Sequence, residues 1–183
     1  MATTKRFPRS SERVEPEAFS ERVRSKLGNA AGEVQVRFDQ VIVSAEPDRI
    51  VDIMSTLKGD PELRCDYFTF LSAVDRQEQG LEVIATVSST RFESTVIVKV
   101  SLPSENPSIA SVTGVYAGAD WHERECAEMF GINFEGHPNL VKLYLSEDFE
   151  GYPLLKSFKL ASRTYKPWPG AKDPDEAAGG GRS

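Results

Sequence analysis

Residues 67–102 read YFTFLSAVDRQEQGLEVIATVSSTRFESTVIVKVSL, and this stretch decides the fold. Three runs rich in β-branched and aromatic residues, 67–74, 81–88 and 95–102, carry the marks of strands. The polar loop 75–80, ending on Gly80, predicts a hairpin between the first two, and Pro103 stops the third. Upstream, residues 33–38 place Val34, Val36 and Phe38 on one face of a half-buried strand. A turn at Asp39-Gln40 then leads into a second short strand, Val41-Ile42-Val43. Residues 16–27 have Pro16 in the first turn, Phe19, Val23 and Leu27 at helical spacing, and Gly28 to end the helix. Residues 47–58 repeat the pattern, with Ile50, Ile53, Met54 and Leu57 inward and Gly59-Asp60-Pro61 as the stop. The order α-β-β-α-β-β-β predicts an α+β fold, a two-layer domain with helices packed on a mixed sheet.

After Pro103 the pattern changes. Residues 109–113 read as a short bridge and 117–130 as a helix, with Val115, Ala119, His122, Cys126 and Phe130 near one face. Gly131 can cap that helix, and Ile132 can fold back over its last turn. Residues 133–145 form a Gly/Pro-turned segment leading to an alternating, strand-like LVKLYL at 140–145. From Ser146 onward successive turns give way to a stretch punctuated by Pro167, Pro169 and Pro174. The expected organisation is a basic flexible segment over 1–13, an α+β domain over 14–145, and an extended, Pro-rich, partner-wrapping tail over 146–183 whose last ~10 residues are expected to be disordered.

Charge and composition narrow the function. The 183 residues carry 22 Lys+Arg against 28 Asp+Glu, a net charge of −6. Residues 1–13 are +3 and 159–183 are +2, leaving −11 for the stretch between. An acidic body of this kind argues against a nucleic-acid surface. No uncharged apolar run nears the ~18 residues of a membrane span, and the first ten residues lack the apolar core of a secretory signal. Two cysteines, Cys65 and Cys126, fit a reducing compartment and exclude a disulfide-built fold.

The densest concentration of chemistry is WHERECAEMFG at 121–131. His122 and Cys126 lie one helical turn apart, and with His137 they could ligate zinc in a stand-alone hydrolase. Glu123 or Glu125 could instead pair with Glu128 as acid and base, and Arg124 could pair with Glu128 one turn on or with a partner's carboxylate. Against these stand a packed thiol, a satisfied histidine and solvated glutamates on an ordinary helix. The chain has no Gly-x-Gly-x-x-Gly after a strand, no Walker loop and no Gly-x-Ser-x-Gly elbow. Two Cys and two His cannot supply four ligands to an iron–sulfur cluster. Residue chemistry therefore favours a binding or assembly module over an enzyme.

The ordered set Glu123-Arg124-Glu125, Glu128-Met129-Phe130-Gly131-Ile132 and Phe134-Glu135-Gly136-His137-Pro138 resembles the signature of the thirty-kilodalton subunit family of respiratory complex I, the bacterial NADH-quinone oxidoreductase. Residues 147–154 look like that family's second landmark, and 166–172 are similar to tails of actinobacterial members. The resemblance implies a peripheral-arm subunit on the cytoplasmic side of the membrane, reached only through partners. Its neighbours would be chiefly the D subunit, the forty-nine-kilodalton-like one, with the B and I subunits. The NADH, FMN, iron–sulfur clusters and quinone of such a complex would belong to other subunits, so this chain would bind no cofactor or metal itself. Glu123, Arg124, Glu125, Gly131, Gly136, His137 and Pro138 would then shape a docking surface, with Trp121 and Phe134 as candidate anchors. Equivalent subunits of ferredoxin- or deazaflavin-dependent complexes, or of membrane-bound hydrogenases, fit the same motifs. The chain departs from the family pattern at Val141, where a basic residue or proline is usual. It departs again at Tyr152, Leu155 and Ser157, where the second landmark commonly has His, Arg and Asp.

Overall fold

The structure, a computed structural model, describes residues 12–160. The helices and strands up to residue 102 follow the predicted order: α1 (Pro16–Leu27), β1 (Val34–Arg37), β2 (Gln40–Ala45), α2 (Ile50–Gly59), β3 (Tyr67–Asp75), β4 (Leu81–Ser89) and β5 (Ser94–Leu102). The five strands form one sheet in the order β1-β2-β5-β4-β3. β2 and β5 are parallel and the other pairs antiparallel, so the sheet is mixed. Register explains the burial. Val41 faces Val96 and Val43 faces Val98 across β2 and β5, while Val96 faces Val87 and Val98 faces Ala85 across β5 and β4. All six are 1% exposed or less. The inner faces of α1 (Phe19, Val23, Leu27) and α2 (Ile50, Ile53, Met54, Leu57) close over this sheet. Each such side chain contributes roughly 1.5–3 kcal/mol of burial.

Two details differ from the sequence reading in this half. Phe38 does not join Val34 and Val36 on the inner face. It sits with Asp39 at the tip of a two-residue hairpin loop, φ 51° and 60°, and is 96% exposed. The paired positive φ angles match the right-handed twist of the flanking strands, and that geometry overrides the alternation. In β3 a register shift between Phe68 and Phe70 turns these two rings to opposite faces. Phe68 is thereby aimed at Tyr116 and His122, with ring centroids 5.5 Å from each.

Beyond Pro103, β6 (Ser108–Ala110) and β7 (Asn133–Glu135) pair in parallel, with α3 (Ala119–Phe130) crossing between them and packing on β3. The strand expected at 140–145 is absent, because three consecutive amides there point at one carboxylate, a geometry no alternating strand allows. The start of the expected tail returns to its own domain. The Leu154 amide donates to the Met129 carbonyl at 3.1 Å, and the Lys156 amide donates to Asp75 Oδ2 at 2.8 Å. Residues 1–11 of the basic segment and 161–183 of the tail lie outside the described residues.

Candidate functional site

α3 contains no β-branched residue, has Asp120 in its first turn, and ends where Gly131 adopts φ 75° and donates its amide to the Ala127 carbonyl. A Cβ at Gly131 would stand 2.7 Å from the Tyr152 ring, so glycine serves both the cap and the close approach. Three charged side chains of this helix, Glu123, Arg124 and Glu128, turn to backbone groups of the segments before and after it.

Glu123 is 0% exposed. Its Oε1 accepts from the Val112 amide at 2.7 Å and its Oε2 from the Ser111 hydroxyl at 2.6 Å, which fixes the chain as it leaves β6. Burial raises the carboxyl above its ordinary value, outweighing these hydrogen bonds and His137. The His137 ring is fully buried, with Nε2 4.0 Å from Glu123 Oε2 and 3.3 Å from Asp120 Oδ1. Its Nδ1 accepts from the Asn139 amide at 3.0 Å, which leaves Nε2 facing Asp120. Gly136, φ 79°, and Pro138 turn the chain on either side of that ring.

On the other flank, Glu128 gathers the amides of Leu143, Tyr144 and Leu145. Burial alone would raise this carboxyl, but the three amides and Lys142 outweigh it and hold it below its ordinary value. Arg124 donates from Nε to the Val141 carbonyl at 2.9 Å and from Nη2 to the Lys142 carbonyl at 3.4 Å. The Lys142 ammonium donates in turn to the carbonyls of Ser146, Glu147 and Phe149 at 3.1–3.2 Å. Residues 139–149 are therefore set by three charged side chains without regular secondary structure.

These contacts revise several expectations. Arg124 does not pair with Glu128; its nearest carboxylate is Asp120, at 3.9 Å. Glu123 and Glu128 are each occupied by their own donors and do not form an acid–base couple. The zinc triad is not assembled. His122 packs edge-on against Phe68, Cys126 is a buried thiol pushed up to about 12, and His137 is held by Asp120. Among the described residues no group of three His, Cys, Asp or Glu side chains could hold a metal ion. Phe134 is buried opposite Ile109, Glu125 is half-buried, and Trp121 is 64% exposed. Glu128 and Lys142, two of the three side chains that organise the loop, stand outside the expected set of docking positions. A carboxylate just before a helix-ending glycine and two residues past a buried cysteine is the available signal for Glu128.

The positions that depart from the family pattern are absorbed locally. Val141 offers Arg124 its carbonyl, which any residue supplies. Tyr152 lies over Gly131 and separates two open cavities, of about 450 and 630 Å³. The smaller is lined by Arg124, Glu128, Leu140 and Phe149 among others, the larger by Asp75, Phe130, Leu155 and Lys156. Leu155 packs on the core and Ser157 edges the larger cavity. No helix among the described residues is long and apolar enough to cross a membrane.

Comparison with known proteins agrees with this architecture. The sequence matches the family described as "Respiratory-chain NADH dehydrogenase, 30 Kd subunit" over residues 43–164. The NADH-quinone oxidoreductase C subunit of Roseiflexus sp. (strain RS-1) is 41% identical over 145 residues, 78% of this chain and 83% of that protein. The corresponding protein of Salinispora tropica is 33% identical over 137 residues, 73% of this chain and 56% of that protein. Among solved structures, a chain of the membrane-bound sulfane sulfur reductase, an archaeal respiratory membrane complex, shares the fold. Its TM-score is 0.67 at 23% identity, covering 79% of this chain and 85% of that one. The trypsin-resistant fragment (1–134) of Nqo5 also shares it, with a TM-score of 0.57 at 23% identity over 68% of this chain and 98% of that one. The family match over two thirds of the sequence, with the mixed-sheet fold beneath it, means that the chain belongs to the thirty-kilodalton subunit family of the respiratory-chain NADH dehydrogenase.

Proposed function

We propose that this chain is a non-catalytic structural subunit of an NADH-quinone oxidoreductase, placed in the peripheral arm on the cytoplasmic side of the membrane. It docks on the D subunit, the forty-nine-kilodalton-like one, with B and I subunits as neighbours. The complex passes electrons from NADH to a quinone and couples this to proton translocation, with FMN, iron–sulfur clusters and quinone held elsewhere. The observation that carries the reading is the use of the charges on α3. Glu123, Arg124 and Glu128 are all committed to ordering backbone, which is the work of a shaped surface rather than of a reaction centre. Residues 14–145 form the docking domain, between the basic segment 1–13 and the tail 146–183, whose role is to wrap a neighbour.

The test is a mild-detergent pull-down of the tagged chain from its host's membranes, with mass spectrometry of what is retained. Recovery with a D-type subunit and the flavin-bearing NADH module is the expected result. The same core without that module would assign the chain to a complex with another electron donor. Recovery of the chain alone would overturn the reading. Ending the chain after Phe158 is expected to lower the yield of assembled complex; full yield would remove the wrapping tail.

A further inference from the structure

Four large apolar side chains stand out from the surface shared by α3 and the loop it holds: Trp121 (64% exposed), Leu140 (38%), Val141 (51%) and Tyr144 (67%). Scattered apolar residues on a surface need no account. Trp121 and Val141 share a partner, and Tyr144 and Leu140 stand on the same ordered loop. The Arg124 guanidinium lies 5.4 Å from the centre of the Trp121 ring while its Nε bonds the Val141 carbonyl, so one side chain orders both. Tyr144 hangs from an amide bound to Glu128, and Leu140 and Val141 both line the smaller cavity. Arg124 is itself only 13% exposed. Aromatic anchors fixed in place before a partner arrives are the arrangement that yields most on binding, because little ordering remains.

Charge identifies what they face. Residues 120–150 contain eight carboxylates and two cations, a net charge of −6, equal to that of the whole chain. Glu123 and Glu128 are occupied internally, and the Lys142 ammonium is taken up by three carbonyls. Asp120 is engaged by His137 and Arg124, so the outward charge around the anchors is acidic: half-buried Glu125 on the helix, and exposed Glu147, Asp148 and Glu150 on the loop. A second copy of this chain would bring a like-charged rim against this one, which electrostatics disfavours. We infer that the surface of Trp121, Leu140, Val141 and Tyr144 docks into an apolar groove bordered by Lys and Arg on another subunit of the same complex. This rests on the subunit reading given above and adds to it the face that docks and the chemistry of what it meets.

The experiment uses the full chain in its host's membrane complex. A benzophenone amino acid replaces Tyr144, the membranes are illuminated, and the crosslinked peptide is sequenced. A peptide of another subunit with Lys or Arg beside apolar residues is the expected product. A crosslink to residues 161–183 of the same chain, or to a second copy, overturns the inference. So does the absence of any crosslink while the chain is still recovered with the complex. In parallel, the double variant Trp121→Ala/Tyr144→Ala should lower recovery with the complex roughly 30-fold. Glu147→Lys/Asp148→Lys should lower it less, and Phe38→Ser, at the distant hairpin tip, should leave it unchanged. Unaltered circular dichroism of each isolated variant separates lost docking from lost folding, and equal recovery of all three overturns the inference. If the unaltered chain is not recovered with any complex, the subunit reading fails as well, an outcome distinct from a crosslink in the wrong place.

Discussion

Residues 16–102 and residues 107–160 are ordered by different interactions. In the first region side chains meet side chains: the valines of β2 and β5 face one another, and α1 and α2 bury whole apolar faces over them. In the second region charged side chains meet backbone, and Glu123, Arg124, Glu128 and Lys142 replace the hydrogen bonds that strands would otherwise make. The sheet is generic and tolerates exchange of one apolar residue for another of similar volume. The region after α3 is specific, since each carboxylate must stand where its amides point.

The largest effect separates the two regions by size. Ile53→Ala removes a fully buried side chain under the sheet and should cost about 3 kcal/mol of global stability, read from denaturant unfolding. Glu128→Ala should cost about 2 kcal/mol, and in a different place. The amides of Leu143, Tyr144 and Leu145 should lose their hydrogen-exchange protection while those of β4 and β5 keep theirs. Equal loss in both regions would mean that they unfold as one unit, and the contrast between them would fail.

A smaller change probes the junction between the regions. Gly131→Ala forces a side chain into φ 75° and against the Tyr152 ring. About 1–2 kcal/mol is expected from the backbone alone, since L residues disfavour that conformation. Adding Tyr152→Ala should recover only the part due to the ring. Full recovery would show that the left-handed cap itself is unimportant.

What can be read in the sequence follows the same division. α1, α2 and β1–β5 are legible because burial on one face imposes a period of 3.6 or 2, and Ile50, Ile53, Met54 and Leu57 lie inward as spaced. Phe38 misleads because a hairpin tip obeys turn geometry rather than alternation. LVKLYL misleads for a deeper reason: its alternation is genuine, but its amides are claimed by a carboxylate fifteen to seventeen residues upstream. No local pattern records such a partner. The motif around α3 is recognisable as an ordered string, yet which of its charges faces which backbone group requires the three-dimensional arrangement.

The subtlest test lies within α3, where two glutamates five residues apart should respond to pH with opposite sign. Glu128 titrates below its ordinary value of 4.5 in the folded chain. Its stabilising contribution is present above that value and is lost as pH falls through the lower, folded one. Glu123 titrates above 4.5 when folded. Its contribution is present below that value and is lost as pH rises through the higher, folded one, because ionising a buried carboxyl beside Asp120 is opposed by desolvation. The measurement is unfolding free energy against pH for the unaltered chain, Glu128→Gln and Glu123→Gln. Relative to the unaltered chain, Glu128→Gln should grow worse as pH rises from 3 to 6, and Glu123→Gln should grow better as pH rises above 4.5. Taking each as a difference removes the titration of groups common to both proteins, and His137, which faces Glu123, is then checked by repeating the series in His137→Asn. If the two slopes share a sign, Glu123 is ionised and paired like Glu128, and the two flanks of α3 are electrostatically alike.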